Sequence, residues 1–278
     1  MLQAIVKFGV GIAVMAMVSS GVSARTLSDL DAVHEAAMQR TLVMRVAKSH
    51  IQLASGVDAA AAHRTLMASV ELYDKNLDDL EANSPSSSLN RRLMGLKQHW
   101  TDFKAVALSR PSRATVAMLL EESNNLLYQS DSLVRQWRLR LPQERGQFNE
   151  LALQQSMLSE RIGLYYAAHF YGMNQPWVLE ELNMSIQEYE KGMSALRAAA
   201  SERGNQKSVD MLENQWHYAR SGLDKVNAGK RETGGISVAM ESMLAQSDQL
   251  GEQFRDEDRI AMNAGRVSTG LAANVPAE

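Results

Sequence analysis

Apolar residues recur along this chain in steps of three and four, the period of an α-helix with a buried face. Val33, Ala37, Arg40, Met44, Ala47 and Ile51 form one such seam, five apolar positions and one arginine. Pro85, Pro111, Pro142 and Pro176 fall where the pattern breaks, never inside a long periodic run. Proline removes a helix hydrogen bond and clashes with the preceding turn, so these positions mark boundaries. The stretches between predict eight helices, at about 27–54, 58–82, 89–108, 112–140, 144–171, 176–201, 206–226 and 236–263. Gly56 and Gly172 close the first and fifth. Asn174 ahead of Pro176 reads as a cap followed by an N1 proline, and Gly234-Gly235 breaks the chain before the last helix. Long helices with short connections favour antiparallel neighbours, so the expected fold is all-α, built of up-and-down four-helix bundles.

The helices come in two sets of four. Displaced by 116 residues, Ala36 meets Ala152, Gln39 meets Gln155, Leu42 meets Leu158 and Arg45 meets Arg161. The same shift puts Tyr73 on Tyr189, Lys75 on Lys191 and Trp100 on Trp216. A shift of 117 puts Gln129-Ser130-Asp131 on Gln246-Ser247-Asp248. Matches of aromatic and polar residues over such a length exceed what shared helical composition supplies, so the chain reads as a tandem duplication. The expected organisation is a first four-helix repeat at 25–141, a second at 142–264, and a disordered tail at 265–278. Nothing between Trp137 and Phe148 resembles a tether. The fourth and fifth helices are expected to run on through Leu141-Pro142 with a kink, joining the halves rigidly.

Residues 1–24 stand apart. Lys7, an apolar run from Phe8 to Val18 and a small-x-small ending at Ala24 read as a secretory signal cleaved after Ala24. The apolar run is well short of the roughly 20 residues that span a bilayer. The expected product is periplasmic and not inserted in a membrane. The chain has no cysteine, which excludes disulfides and thiol-attached haem. Its formal charge of −3 removes a general case for nucleic-acid binding. No Glu-x-x-His pair, Gly-rich phosphate loop or Gly-x-Ser-x-Gly elbow occurs. Neither a metal, another cofactor nor an enzyme is therefore expected.

Arg40 is the sharpest chemical feature. A guanidinium on an apolar seam keeps its charge and requires a carboxylate, a bound anion or water. The residues around it resemble a known family. The stretch HEAAMQRTLVMRVAK and its repeat ELALQQSMLSERIG are similar to the opening helix of the sensory domain of type IV pilus methyl-accepting chemotaxis transducers (PilJ-type), related to the periplasmic domain of nitrate/nitrite sensor kinases. That helix reads approximately Asn-x-Ala-Gly-x-Gln-Arg-Met-Leu-Ser-Gln-Arg-Met-Ala-Lys. His34 and Glu150 replace its asparagine, Ala37 and Leu153 its glycine, and Ser156 its first arginine.

The resemblance implies that the position of Arg40 binds a nitrate-like anion across an interface of two like helices. Duplication would place that interface within one chain, the first helix against the fifth. Arg40 and Gln39 would come from one repeat, with Gln155 and Ser156 from the other. A guanidinium pairs with a planar oxyanion through two hydrogen bonds, and a serine hydroxyl can donate a third. Glu160, one turn from Ser156, offers Arg40 a direct ion pair instead. Arg45 and Arg161 read as ion-pair partners. Trp100, Trp216, Tyr73 and Tyr189 read as core, and Tyr165, Tyr166, His169, Tyr171 and Trp177 as packing at a bundle end. The expected function is a sensory module that binds a small anion and signals through a membrane receptor or sensor kinase. The alternative is a helical protein–protein interaction module that has lost its ligand.

Overall fold

Ser28 begins the first helix. Its hydroxyl accepts the Asp31 amide at 3.1 Å, and α1 then runs Asp29–Ser55. It ends at Gly56, whose φ of 70° suits glycine; the Gly56 and Val57 amides donate back to Leu53 and Gln52. The computed structural model describes residues 25–227 and 235–272, with side chains described as far as 225 and 264. The remaining helices are α2 (Ala59–Ala82), α3 (Ser87–Ala107), α4 (Arg113–Arg138), α5 (Gln147–Tyr171), α6 (Pro176–Arg203), α7 (Gln206–Asn227) and α8 (Gly235–Ala272). The chain is all-α with eight helices. The predicted signal segment lies outside the described residues, as do 273–278 of the predicted tail.

Three local expectations are corrected. The cap of α6 is Gln175, with Pro176 at N1; Asn174 lies one residue too early and caps nothing. Helix α8 continues through Gly265 and Gly270 to Ala272, because a glycine weakens a helix without ending it. The junction at Pro142 is a reversal instead of a kink. Residues 139–146 form successive turns closed by Leu141→Arg138, Arg140→Trp137 and Arg145→Pro142 amide–carbonyl bonds. Gly146, at φ 73°, then starts α5 without a side-chain cap of its own. Asp258, from α8, supplies one: its Oδ2 accepts the Gly146 amide at 2.7 Å, placing a carboxylate at the positive end of the helix.

Each set of four helices packs in the same cycle. Helix α1 lies against α2 and α4, with α3 bridging those two; α5 lies against α6 and α8, with α7 bridging them. Polar pairs set the directions. Gln39 to Tyr73 and Arg40 to Asp131 run α1 antiparallel to α2 and α4. Asn149 to Gly251 does the same for α5 and α8. The aromatic repeat pairs also recur in space. Tyr73 stacks on Trp100 at 3.7 Å, and Tyr189 meets Trp216 at 4.5 Å. One apolar core extends through both sets. Among the described residues, no helix is long and apolar enough to cross a membrane.

Helix α1 is buried on almost every side and carries an ill-matched acid. Glu35 is buried beside Asp79, with Oε2 unpaired and the Arg25 guanidinium only at 3.9 Å. Burial, reinforced by Asp79, raises its pKa from 4.5 to about 7. A carboxyl whose pKa is higher folded than unfolded opposes folding most above the folded value, and the penalty fades as pH falls toward 4.5. Glu35→Gln should therefore stabilise the protein by on the order of 2 kcal/mol at pH 8 and have little effect near pH 4.5. Thermal unfolding of both forms across that range measures the difference. An equal gain at both ends would mean that the charge is not the cause.

Candidate functional site

Helices α1 and α5 are parallel. Asn149 donates to the His34 ring at 3.2 Å, and Arg45 donates to Glu160 at 2.9 Å. A Cβ on Gly163 would approach Lys48 Cδ to 3.1 Å. Each pair is separated by 115 residues, within one residue of the repeat offset. Equivalent positions of the two repeats therefore stand at the same height across the seam. This is the geometry of a parallel dimer joined into one chain, with a pseudo-twofold axis along the helices.

The predicted site residues do not all meet there. Arg40 turns away from α5: Nη1 donates to Asp131 of α4 at 2.9 Å and Nε donates to the Ala37 carbonyl at 3.3 Å. Its Nη2 is buried without a partner. Gln39 donates to the Tyr73 carbonyl at 3.2 Å, on the α2 side. Gln155 is buried with neither amide atom hydrogen-bonded, pressed toward Gly192 where any Cβ would collide with it. Ser156, also buried, lies beside Asp248 of α8. Glu160 pairs with Arg45 and Lys48, not with Arg40. On a helix buried all round, a seam of apolar positions leaves open which neighbour it faces.

The seam's charged residues are Arg45, Lys48 and Glu160, joined from α8 by Glu241 and Asp248. Glu160 holds Lys48 at 2.7 Å as well as Arg45, and Lys48 reaches Glu241 at 2.6 Å. Burial alone would raise the Glu160 carboxyl, but Lys48 and Arg45 outweigh it and hold the group below its ordinary value. Burial likewise works against both cations, and the carboxylates overcome it and raise them. Asp248 differs. Burial pushes its carboxyl up, Ser156 and Arg45 offset only part of that, and Arg45 Nη2 stands 4.0 Å away.

Arg45 opens onto a cleft of about 380 Å³ between α1, α2 and α8, walled by Thr65, Ser69, Leu72, Glu241, Leu244 and Asp248 among others. Its Nε is committed to Glu160. Among the described residues, neither Nη nitrogen has a hydrogen-bond acceptor. The repeat-mate Arg161 is closed off instead: Nη2 donates to Glu181 at 2.5 Å and Nη1 to Glu188 at 3.3 Å, both on α6. Thr65 and Leu72 occupy the places of Glu181 and Glu188 in the first repeat. The cleft therefore lacks the two carboxylates that cover the equivalent arginine. A smaller cavity of about 140 Å³, toward Gln52, Phe170 and Met240, also meets Lys48 and Glu241. Its cation is already taken by two carboxylates.

Searches of family models, of curated proteins and of solved structures gave no match. The sequence likeness to pilus and nitrate sensory domains therefore rests on the helix motif and the helical layout. The importance of Asp131, Asp248 and Thr65 could be seen only in space. The matching Gln-Ser-Asp runs marked two of them as equivalent without showing what either touches.

Proposed function

We propose that the chain is a periplasmic sensory module which holds a small oxyanion, of the carboxylate or nitrate class, on Arg45 in the cleft between α2 and α8. The carrying observation is the contrast between the two repeats: one arginine fork donates to Glu181 and Glu188, while the other faces a cleft with its nearest free carboxylate, Asp248, at 4.0 Å, beyond hydrogen-bond reach. A guanidinium fork binds a planar oxyanion through paired hydrogen bonds, strengthened where water is partly excluded. Thr65 and Ser69 add hydroxyls on the opposite wall. The resemblance to pilus and nitrate sensors likewise implies an anion beside the helix pair, but on Arg40, where this reading uses Arg45.

Arg45 also supports a signal. Its Nε holds Glu160 of α5 while its fork reaches toward α8, so an anion drawing on the guanidinium biases the α1–α5 contact. A membrane receptor or sensor kinase packed on the bundle would read that bias. Thermal shift with acetate, nitrate and sulfate tests the assignment. Binding at a hundred times the dissociation constant adds roughly 2.7 kcal/mol. The double variant Thr65→Glu/Leu72→Glu, which rebuilds the cover over the arginine, should abolish the shift while the protein stays folded. A shift that survives the double variant removes the anion from Arg45. No shift with any anion favours the interaction module.

A further inference from the structure

The second repeat has lost a cation and kept its carboxylate. In the first repeat Arg40 of α1 meets Asp131 of α4 at 2.9 Å. In the second, the place of Arg40 is taken by Ser156 and that of Asp131 by Asp248. Ser156 stands beside Asp248 but brings no charge, and Arg45 at 4.0 Å is beyond hydrogen-bond reach. Asp248 lines the same cleft onto which Arg45 opens. The surrounding charges point the same way. Arg45 and Lys48 face Glu160, Glu241 and Asp248, an excess of one carboxylate that a simple anion would increase. Partly buried charges of like sign repel, and the missing guanidinium is the natural remedy.

We infer that the cleft takes a small zwitterion of the α-amino-acid class, its carboxylate on the Arg45 fork and its ammonium beside Asp248, where the first repeat uses its own arginine. The assignment rests on the anion reading above and names the ligand class for that site. Thr65 and Ser69 can hydrogen-bond a polar ligand, and Leu42, Leu72 and Leu244 provide apolar wall for a side chain. The volume of about 380 Å³ falls within the range of small-molecule sites, ~300–1,000 Å³.

Calorimetric titration of the mature protein with L-alanine, L-serine, L-glutamine, acetate and ethylamine tests this. At least one amino acid should bind roughly thirtyfold or more tightly than acetate or ethylamine, since each lacks one of two desolvated charge contacts. Asp248→Asn should remove that advantage, weakening the amino acid while acetate binds as tightly or more tightly. Ser156→Arg should fill the gap from within, raising the melting temperature while abolishing amino-acid binding. Asp248→Asn keeps the shape of the cleft wall, so loss of the amino-acid advantage in that variant is not explained by misfolding. If acetate binds as well as every amino acid and Asp248→Asn changes neither, the zwitterion is wrong and the anion reading stands. If none of the probes binds, both are wrong.

Discussion

Glu160→Ala is expected to cost about 3–5 kcal/mol, the range for breaking a buried ion pair by removing one partner. The carboxylate side chain is only 1% exposed; it accepts from Arg45 and forms an ion pair with Lys48, and those two side chains are 18% and 6% exposed. Its loss leaves Arg45 on the α1–α5 seam with only Asp248 at 4.0 Å, and takes from buried Lys48 one of its two carboxylates, Glu241 remaining at 2.6 Å. For a chain of this length the melting temperature should fall by roughly 10 °C. Replacing Arg45, Lys48 and Glu160 together by leucine or methionine should restore most of the loss, because no charge is then left unpaired. Urea and thermal unfolding of both proteins decide the point. A triple variant as unstable as the single one would show that lost packing, not stranded charge, is responsible. The pH dependence has a definite sign. Glu160 is held below its ordinary value of 4.5 by Lys48 and Arg45 acting against burial. Its contribution is thus complete above that value and is lost as pH falls through the lowered one.

Helix number, the repeat offset and most boundaries could be read from the chain because each rests on local rules. Helical periodicity runs along the sequence, proline and glycine punctuate it, and a duplication leaves a constant shift. Boundaries failed where a partner from elsewhere decides the geometry. Asp258 caps α5 from 112 residues away, and no neighbouring residue announces it. The site failed for a related reason. The seam through Arg40 describes one face of a helix, yet α1 touches α2, α4 and α5, and a step of one residue chooses between them. Arg40 and Arg45 differ by five positions, enough rotation to send one toward Asp131 and the other toward Glu160 and the cleft. Sequence identified both arginines. That Arg45 is open while its repeat-mate Arg161 is covered depends on Thr65 and Leu72 of α2, unremarkable residues until they are superposed on Glu181 and Glu188.

Trp100→Ala should cost about 3–5 kcal/mol, the usual penalty for removing a large buried aromatic side chain. Trp100 is 1% exposed, stacks on Tyr73 at 3.7 Å, lies 5.8 Å from Phe103 and donates from Nε1 to Asp74 at 2.6 Å. Trp100→Phe keeps an aromatic ring against Tyr73 and should cost only about 1–2 kcal/mol, as Asp74 retains Lys104 at 3.0 Å. The form of the unfolding curve carries more information than its midpoint. Trp100 bridges α2 and α3, remote in sequence from the second repeat, but the apolar core runs without interruption through α1 and α5. The first repeat cannot unfold without exposing the seam that the second is built on. A single transition at lower temperature is therefore expected for Trp100→Ala, with Trp216→Ala giving the same form from the other side. Calorimetry resolving two transitions in either variant would mean that the bundles are separable. The seam could not then carry a binding event from one repeat to the other.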